Sequence, residues 1–315
     1  MTDKDFKSHK EQVEILRARG LSIKNIAWKT LAKENYYNVI NGYKDLFLDP
    51  KAKKERYKNQ ATFDEIYALY LFDRELRFIF LKTLLRVENH IKSVISYRYA
   101  EMYGHGYLKL INFKPYRNNK ELQEIMGVIS TLQKAISDQS GKHTAVTHYV
   151  TEYGFVPIWV LANVLTLGNI SKFYGVLKLN DRQAIAKEFG LPENVFRNHL
   201  RVISMYRNIC AHDERLYNVR LEQQEMKSVN THEKLKIAKD AEGKYIYGTN
   251  DLFSLMICLK ELLPQTKRGE FSSMVDRIDR EITELSKKLS SVKKEDILHA
   301  MGFPRNWREI KRKMD

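Results

Sequence analysis

Cysteine is almost missing from this chain. Cys210 and Cys258 are its only two, too few for a disulfide framework and wrongly spaced for a thiolate metal site, so a reduced, cytoplasmic setting is expected, with Cys210 as a packing residue. Long apolar runs are missing too. The longest, Phe155 to Ile170, is interrupted by Pro157, Asn163, Thr166 and Asn169; it falls short of the roughly 20 residues a membrane span needs and reads as a buried helix. Met1 to Arg19 is too charged to hold the apolar centre of a secretory signal. There is no Gly-rich phosphate loop, no Cys-x-x-Cys pair, no His-Glu-x-x-His string and no internal repeat. Nucleotide-hydrolysing and zinc chemistries therefore lose their usual support, and no cofactor or metal is expected. Acid is in deficit as well: 39 Asp and Glu face 54 Lys and Arg, a formal charge of +15. That surplus favours a polyanionic partner, nucleic acid or an anionic membrane surface, and charge alone does not choose between them.

What is present reads as helix. At 315 residues, with 43% hydrophobic and 30% charged side chains, the chain suits a soluble all-α protein of one large domain or two modest ones. Residues 1–60 form an N-terminal helical extension: a mixed-charge helix over 5–19 closed by Gly20, then a short one from an Ser22 cap to Glu34. From Asn35 to Phe47 tyrosines alternate with amides around an Asn41-Gly42 turn. Two readings stand there. Tyr37, Asn41, Tyr43 and Lys44 can stack on bases or hold a phosphate, or Tyr37, Tyr43 and Phe47 can pack the extension onto the core. The connector from Asp49 to Gln60 holds Lys51, Lys53, Lys54, Arg56 and Lys58, either a solvated face or a contact to an RNA backbone.

Residues 61–315 carry the main helical domain. Thr62 and Glu65 make a capping box for a long helix that ends at Gly104. Its apolar face runs through Leu69, Leu76, Phe80, Leu84, Val87 and Ile91, and its charged face through Arg74, Arg77, Lys82, Arg86, Lys92 and Arg98. Helices follow at about 120–137 and 143–152, then one from Pro157 to Leu177, one between Asn180 and Gly190, and one from Pro192. Beyond residue 218 the spacing predicts a small β-hairpin near 235–248, helices at 251–263, 271–289 and 295–300, and a basic tail with Arg308, Lys311, Arg312 and Lys313.

The chemistry concentrates at Arg207-Asn208-Ile209-Cys210-Ala211-His212, continuing Asp213-Glu214-Arg215-Leu216-Tyr217-Asn218. A fixed cation and a titratable imidazole near a helix end suit phosphoryl chemistry. For RNA cleavage a 2′-hydroxyl must lose a proton, charge must be met on the phosphoryl oxygens, and the leaving 5′-oxygen must gain a proton. His212 can move the protons and Arg207 can meet the charge, without a metal. Asn208 and Asn218 are candidate supports, and Arg74, Arg77 and Arg215 are further RNA-binding candidates. The bland alternative is a helix end where His212 caps carbonyls and Arg207 pairs with an acid. Five positions along a helix also turn two side chains about 140° apart. The geometry therefore closes better if the helix frays or if a homodimer pools its Arg and His residues.

The string from Arg207 to Asn218 resembles the R-N-x-x-A-H-x-x-R-L-[WY]-N signature of the Abi-like (AbiD/AbiF-type) abortive infection family, part of the HEPN superfamily. Tyr37 to Tyr43, the Phe72–Arg77 and Arg86–Lys92 strings, and Pro157 to Gly168 resemble that family's other blocks. The resemblance spans about residues 30–220. It implies a HEPN-type helical bundle and a phage-defence endoribonuclease toxin, or a non-catalytic protein that binds a structured small non-coding RNA. It also implies that Glu88 on the long helix can hold Arg207 or orient His212, where by spacing alone Glu88 reads equally as half of a surface pair with Lys92. It also brings a departure: Asp213 and Glu214 put two acids directly after His212, which would weaken RNA binding unless they pair with Arg215 or point outward.

Overall fold

Residues 5–24, 27–222, 226–264 and 269–312 are described by a computed structural model. Its α-helices are α1 (His9–Ala18), α2 (Ala27–Glu34), α3 (Phe63–Tyr103), α4 (Asn119–Gln139), α5 (Thr144–Tyr153), α6 (Ile158–Val164) and α7 (Leu167–Val176). After these come α8 (Leu179–Lys187), α9 (Glu193–Ala211), α10 (Asn230–Lys234), α11 (Leu252–Leu262), α12 (Glu270–Lys288) and α13 (Lys294–Met301). The all-α expectation holds. Among the described residues no helix is long and apolar enough to cross a membrane.

The 41-residue α3 is the axis, and its start follows from the capping box. Thr62 Oγ1 accepts the Glu65 N–H at 3.2 Å, and Glu65 Oε2 accepts the Thr62 N–H at 2.9 Å. Glu65 then reaches across the molecule, where its Oε1 accepts the N–H groups of Ser290 and Ser291 at 2.6 and 2.8 Å. Burial works against its charge, but the N–H groups of Ser291, Ser290 and Thr62 outweigh that and hold the carboxyl below its usual value. Gly104, at φ 50°, ends the helix. Helices α6, α9 and α12 pack along α3. The buried stripe Met274, Ile278, Ile282 and Leu285 shows how α12 faces inward at helical spacing. Buried side chains from Val13 to Ile310 form one cluster, so the N-terminal extension and the helices after residue 218 share a core.

Several expectations change. Ser22 caps no helix; its backbone bridges to Thr62, with its N–H on Ala61 and its carbonyl on the Phe63 N–H, so the extension is sewn to the start of α3. The apolar run after Pro157 is two helices, because Thr166 Oγ1 accepts the Asn169 N–H at 3.1 Å and starts α7 afresh. Lys178 stands at the cap of α8, where Asn180 was expected. In place of a hairpin near 235–248 there is one isolated bridge, Lys239 to Tyr245. On α3, Arg77 and Lys92 are buried although the spacing placed them on the charged face. Lys313 lies outside the described residues.

Candidate active site

Helix α9 is amphipathic, and its inward side chains Phe196, Leu200, Ile203, Tyr206 and Cys210 fix the outward positions of Arg207, Asn208 and His212. His212 is the cap residue. Its N–H donates to the Asn208 carbonyl at 2.9 Å, and its imidazole is exposed with no hydrogen-bond partner among the described residues. Asp213 follows at φ 57°, a left-handed conformation that Asp tolerates better than most residues, and the Glu214 N–H closes the turn onto the Ile209 carbonyl at 3.2 Å. The helix thus stops at the histidine without a glycine. Burial pushes the Cys210 thiol up to about 12, so it packs and does not react.

Arg207 is fixed from α3. Its Nε donates to Glu88 Oε2 at 3.0 Å, and the Lys92 ammonium lies 2.8 Å from Glu88 Oε1. The Arg207 side chain is 25% exposed, and its two Nη groups meet no acceptor among the described residues. The guanidinium is therefore anchored by one edge and open along the other. The structure thus brings Glu88 to Arg207 and leaves both Arg207 and His212 in reach of solvent.

The turn after His212 is held by a buried charge network. Asp73 accepts the N–H groups of Leu216 and Tyr217 at 3.0 and 2.6 Å, the Tyr43 hydroxyl at 2.6 Å and Arg77 Nη1 at 2.6 Å. Arg77 also donates to the Glu214 carbonyl at 3.2 Å and to the Asp213 carboxylate. Burial raises the Asp73 carboxyl, opposed by Tyr43, the Leu216 N–H and Arg77. Burial, with Asp73 beside it, drives the Tyr43 hydroxyl well above its ordinary value, so it remains a donor. The Tyr43 and Tyr217 rings stack 5.7 Å apart, and Arg215 donates to the Gly42 carbonyl. Separate stretches around Asn41-Gly42-Tyr43, Asp73–Arg77 and Asp213–Tyr217 are thereby locked into one unit.

That unit redistributes the RNA-binding candidates. Tyr43 and Arg77 are buried with their polar groups engaged, so neither presents a face to a polyanion; packing was the right one of the two readings for Tyr43. Lys44 pairs with Glu55 at 2.6 Å, and Arg74 lies over the Tyr70 ring, 3.8 Å from Glu34. Of the two arrangements that would spare RNA binding, a pair with Arg215 or an outward side chain, Asp213 makes neither simply: it pairs with Arg77 while its side chain stays mostly exposed. Tyr37 is 70% exposed, Asn41 is exposed, and Lys53, Lys54 and Arg56 are exposed with no acidic partner among the described residues. The side-chain Oδ1 of Asn218 is buried without a hydrogen-bond partner. Asp73 and Lys92 were missed as site residues. Their signal was an acid and a base four apart on one helix, Asp73–Arg77 and Glu88–Lys92, which in sequence looks the same as a solvated pair.

The sequence model of a family described as Abi-like protein matches residues 29–218, more than half of the chain. The match takes in the residues from Tyr37 to Asn218 that build this site. No curated protein matches the chain. No solved structure matches it.

Proposed function

The chain belongs to the Abi-like protein family, which points to abortive infection and phage defence, and from that premise we propose that it is a HEPN-type, metal-independent endoribonuclease. The observation that carries the reading is a partly exposed Arg207, held at its Nε by Glu88, and an unpartnered, exposed His212 five positions on at the same helix end. The Nη groups of Arg207 meet the charge that builds on the phosphoryl oxygens, and Glu88 keeps the guanidinium from swinging away. His212 takes the 2′-hydroxyl proton or delivers one to the 5′-oxygen, which leaves a cyclic phosphate. One histidine per copy cannot conveniently do both at once. A homodimer that sets two such helix ends side by side supplies the second, and the exposed Phe78 and Leu85 of α3 and Met205 of α9 leave apolar surface for it. Lys53, Lys54, Arg56, Tyr37 and Asn41 extend the RNA contact, while Tyr43 and Arg77 hold the catalytic turn in shape.

Purified protein is expected to cut single-stranded RNA in EDTA, leaving cyclic phosphate or 3′-phosphate ends. His212→Ala should abolish cutting and leave the circular dichroism spectrum and melting midpoint unchanged; cutting that persists in that variant removes the assignment. Mixing His212→Ala with Arg207→Ala protein restores part of the activity if two copies share a site. The second reading, a protein that binds a structured small RNA without cleaving it, is favoured instead if one discrete RNA co-purifies uncut with wild-type protein. The acid at Asp213, still mostly exposed beside His212, is the observation that keeps that reading in play.

A further inference from the structure

Three helices converge behind Arg207. Ser96 of α3 and Leu165, just ahead of α7, line one apolar cavity, and Lys92 stands one turn before Ser96. Gly168, in the first turn of α7, lies so close to α9 that a Cβ built on it would be 3.4 Å from Ser204 Oγ. Arg207 is one turn beyond Ser204, and it shares Glu88 with Lys92. The first turn of α7, Ser204, Arg207 and Lys92 therefore surround one corner of the bundle.

The polar groups of that corner lack a member. Thr166 Oγ1 satisfies the Asn169 N–H, but the N–H groups of Leu167 and Gly168 find no acceptor among the described residues. Ser204 is only 8% exposed, and its hydroxyl likewise has no partner among the described residues. Its Oγ faces the first turn of α7, 3.4 Å from where a Cβ on Gly168 would stand, and is a free donor there. Two cations, Arg207 and Lys92, share the single carboxylate of Glu88, so one positive charge is uncompensated. Free N–H groups, a helix N-terminus, an unused hydroxyl and surplus positive charge all ask for a small oxyanion. A Cβ at Gly168 would stand in van der Waals contact with Ser204 Oγ and Thr166 Oγ1, at 3.4 and 3.6 Å, and so take up space between the two hydroxyls that glycine leaves open.

We propose that this corner is a phosphate-binding subsite, in which the Leu167 and Gly168 N–H groups, the Ser204 hydroxyl and an Nη of Arg207 take the oxygens of a phosphodiester. That the phosphate belongs to RNA rests on the reading of Arg207 and His212 given above; the anion chemistry does not. The subsite gives the Thr166-Leu167-Gly168 step a function in holding substrate, next to the cation that meets the charge of cleavage.

Two measurements test it. Inorganic phosphate should raise the melting midpoint of the wild-type protein and not that of Ser204→Ala, because a ligand bound only to the folded form stabilises it. In a His212→Ala background, where RNA is not cut, adding Ser204→Ala should weaken binding of a fluorescein-labelled oligouridylate about tenfold, the worth of one hydrogen bond to a charged group. That loss should leave the salt slope of affinity unchanged, whereas Arg207→Gln lowers the slope by about 0.7. Ser204→Ala protein that binds phosphate and oligouridylate as its parent does overturns the subsite. If wild-type protein proves unable to cut RNA while the Ser204→Ala losses stand, the cleavage reading fails and the subsite survives.

Discussion

Asp73 gathers four donors from three parts of the chain: the Tyr43 hydroxyl, Arg77, and the N–H groups of Leu216 and Tyr217. Cutting it back to alanine leaves a buried guanidinium and several buried donors without an acceptor, so Asp73→Ala should cost about 3–5 kcal/mol of unfolding free energy. Urea denaturation followed by far-UV circular dichroism reads this directly, and a loss below about 1 kcal/mol would mean that water replaces the carboxylate. This is also where the sequence was least legible. Arg77 stands four residues after Asp73 and looks like half of a surface pair; only the fold shows that Tyr43 and the backbone after His212 arrive from opposite sides to bury both. Glu88 was legible as a partner of Arg207 only through the family resemblance, because by spacing alone it reads equally as half of a surface pair with Lys92. Ser204 gave no hint at all, since a lone serine in a helix does not mark a site by itself, and Lys92 read as the solvated half of a pair with Glu88.

At the scale of elements, helix ends decided how much was foreseeable. Thr62, Glu65 and Gly104 fixed both ends of α3 because capping chemistry is local. The break between α6 and α7 was hidden inside an apolar run, where Thr166 reads as one polar residue in a buried helix until its hydroxyl is seen on the Asn169 N–H. The end of the chain depends on another local device. Asp251 starts α11, accepts the Gly248 N–H at 3.0 Å and the Ser254 N–H at 3.2 Å, and presses on Gly302, where a Cβ would lie 2.2 Å from its Cγ. Burial lifts its carboxyl from 3.8 to about 6, against the pull of the Gly248 N–H and Arg220. A raised carboxyl favours the uncharged form in the folded state. Its stabilising contribution is thus full below about pH 4 and is lost as pH rises through about 6, by up to roughly 3 kcal/mol. Asp251→Asn stays uncharged and keeps an acceptor oxygen. The difference in unfolding free energy between variant and wild type should therefore move in the variant's favour from about pH 4 to pH 7, and a difference that stays flat over that range contradicts the burial argument.

For the whole molecule the governing quantity is the charge of +15. Part of it is absorbed internally: Arg77, Lys92, Arg207 and Lys44 all face carboxylates. The connector after the extension is different. Of its two acids, Glu55 is taken by Lys44 and Arg19 and Asp49 accepts the Lys51 N–H, which leaves Lys53, Lys54 and Arg56 exposed and unpaired among the described residues. Such cations release condensed counterions when they meet phosphates, so each one that binds a single strand contributes about 0.7 to the slope of log affinity against log salt. The triple variant Lys53→Glu, Lys54→Glu, Arg56→Glu should then bind oligouridylate at least tenfold more weakly at low salt and lose about 2 from that slope. Its melting midpoint should not fall, because these side chains hold nothing in the fold. Asp73→Ala is expected to do the reverse, lowering stability while leaving the connector's contribution to the slope in place. A triple variant that keeps the wild-type slope would show that the polyanion is held elsewhere, along α9 and the corner behind Arg207, and that the connector is a solvated loop.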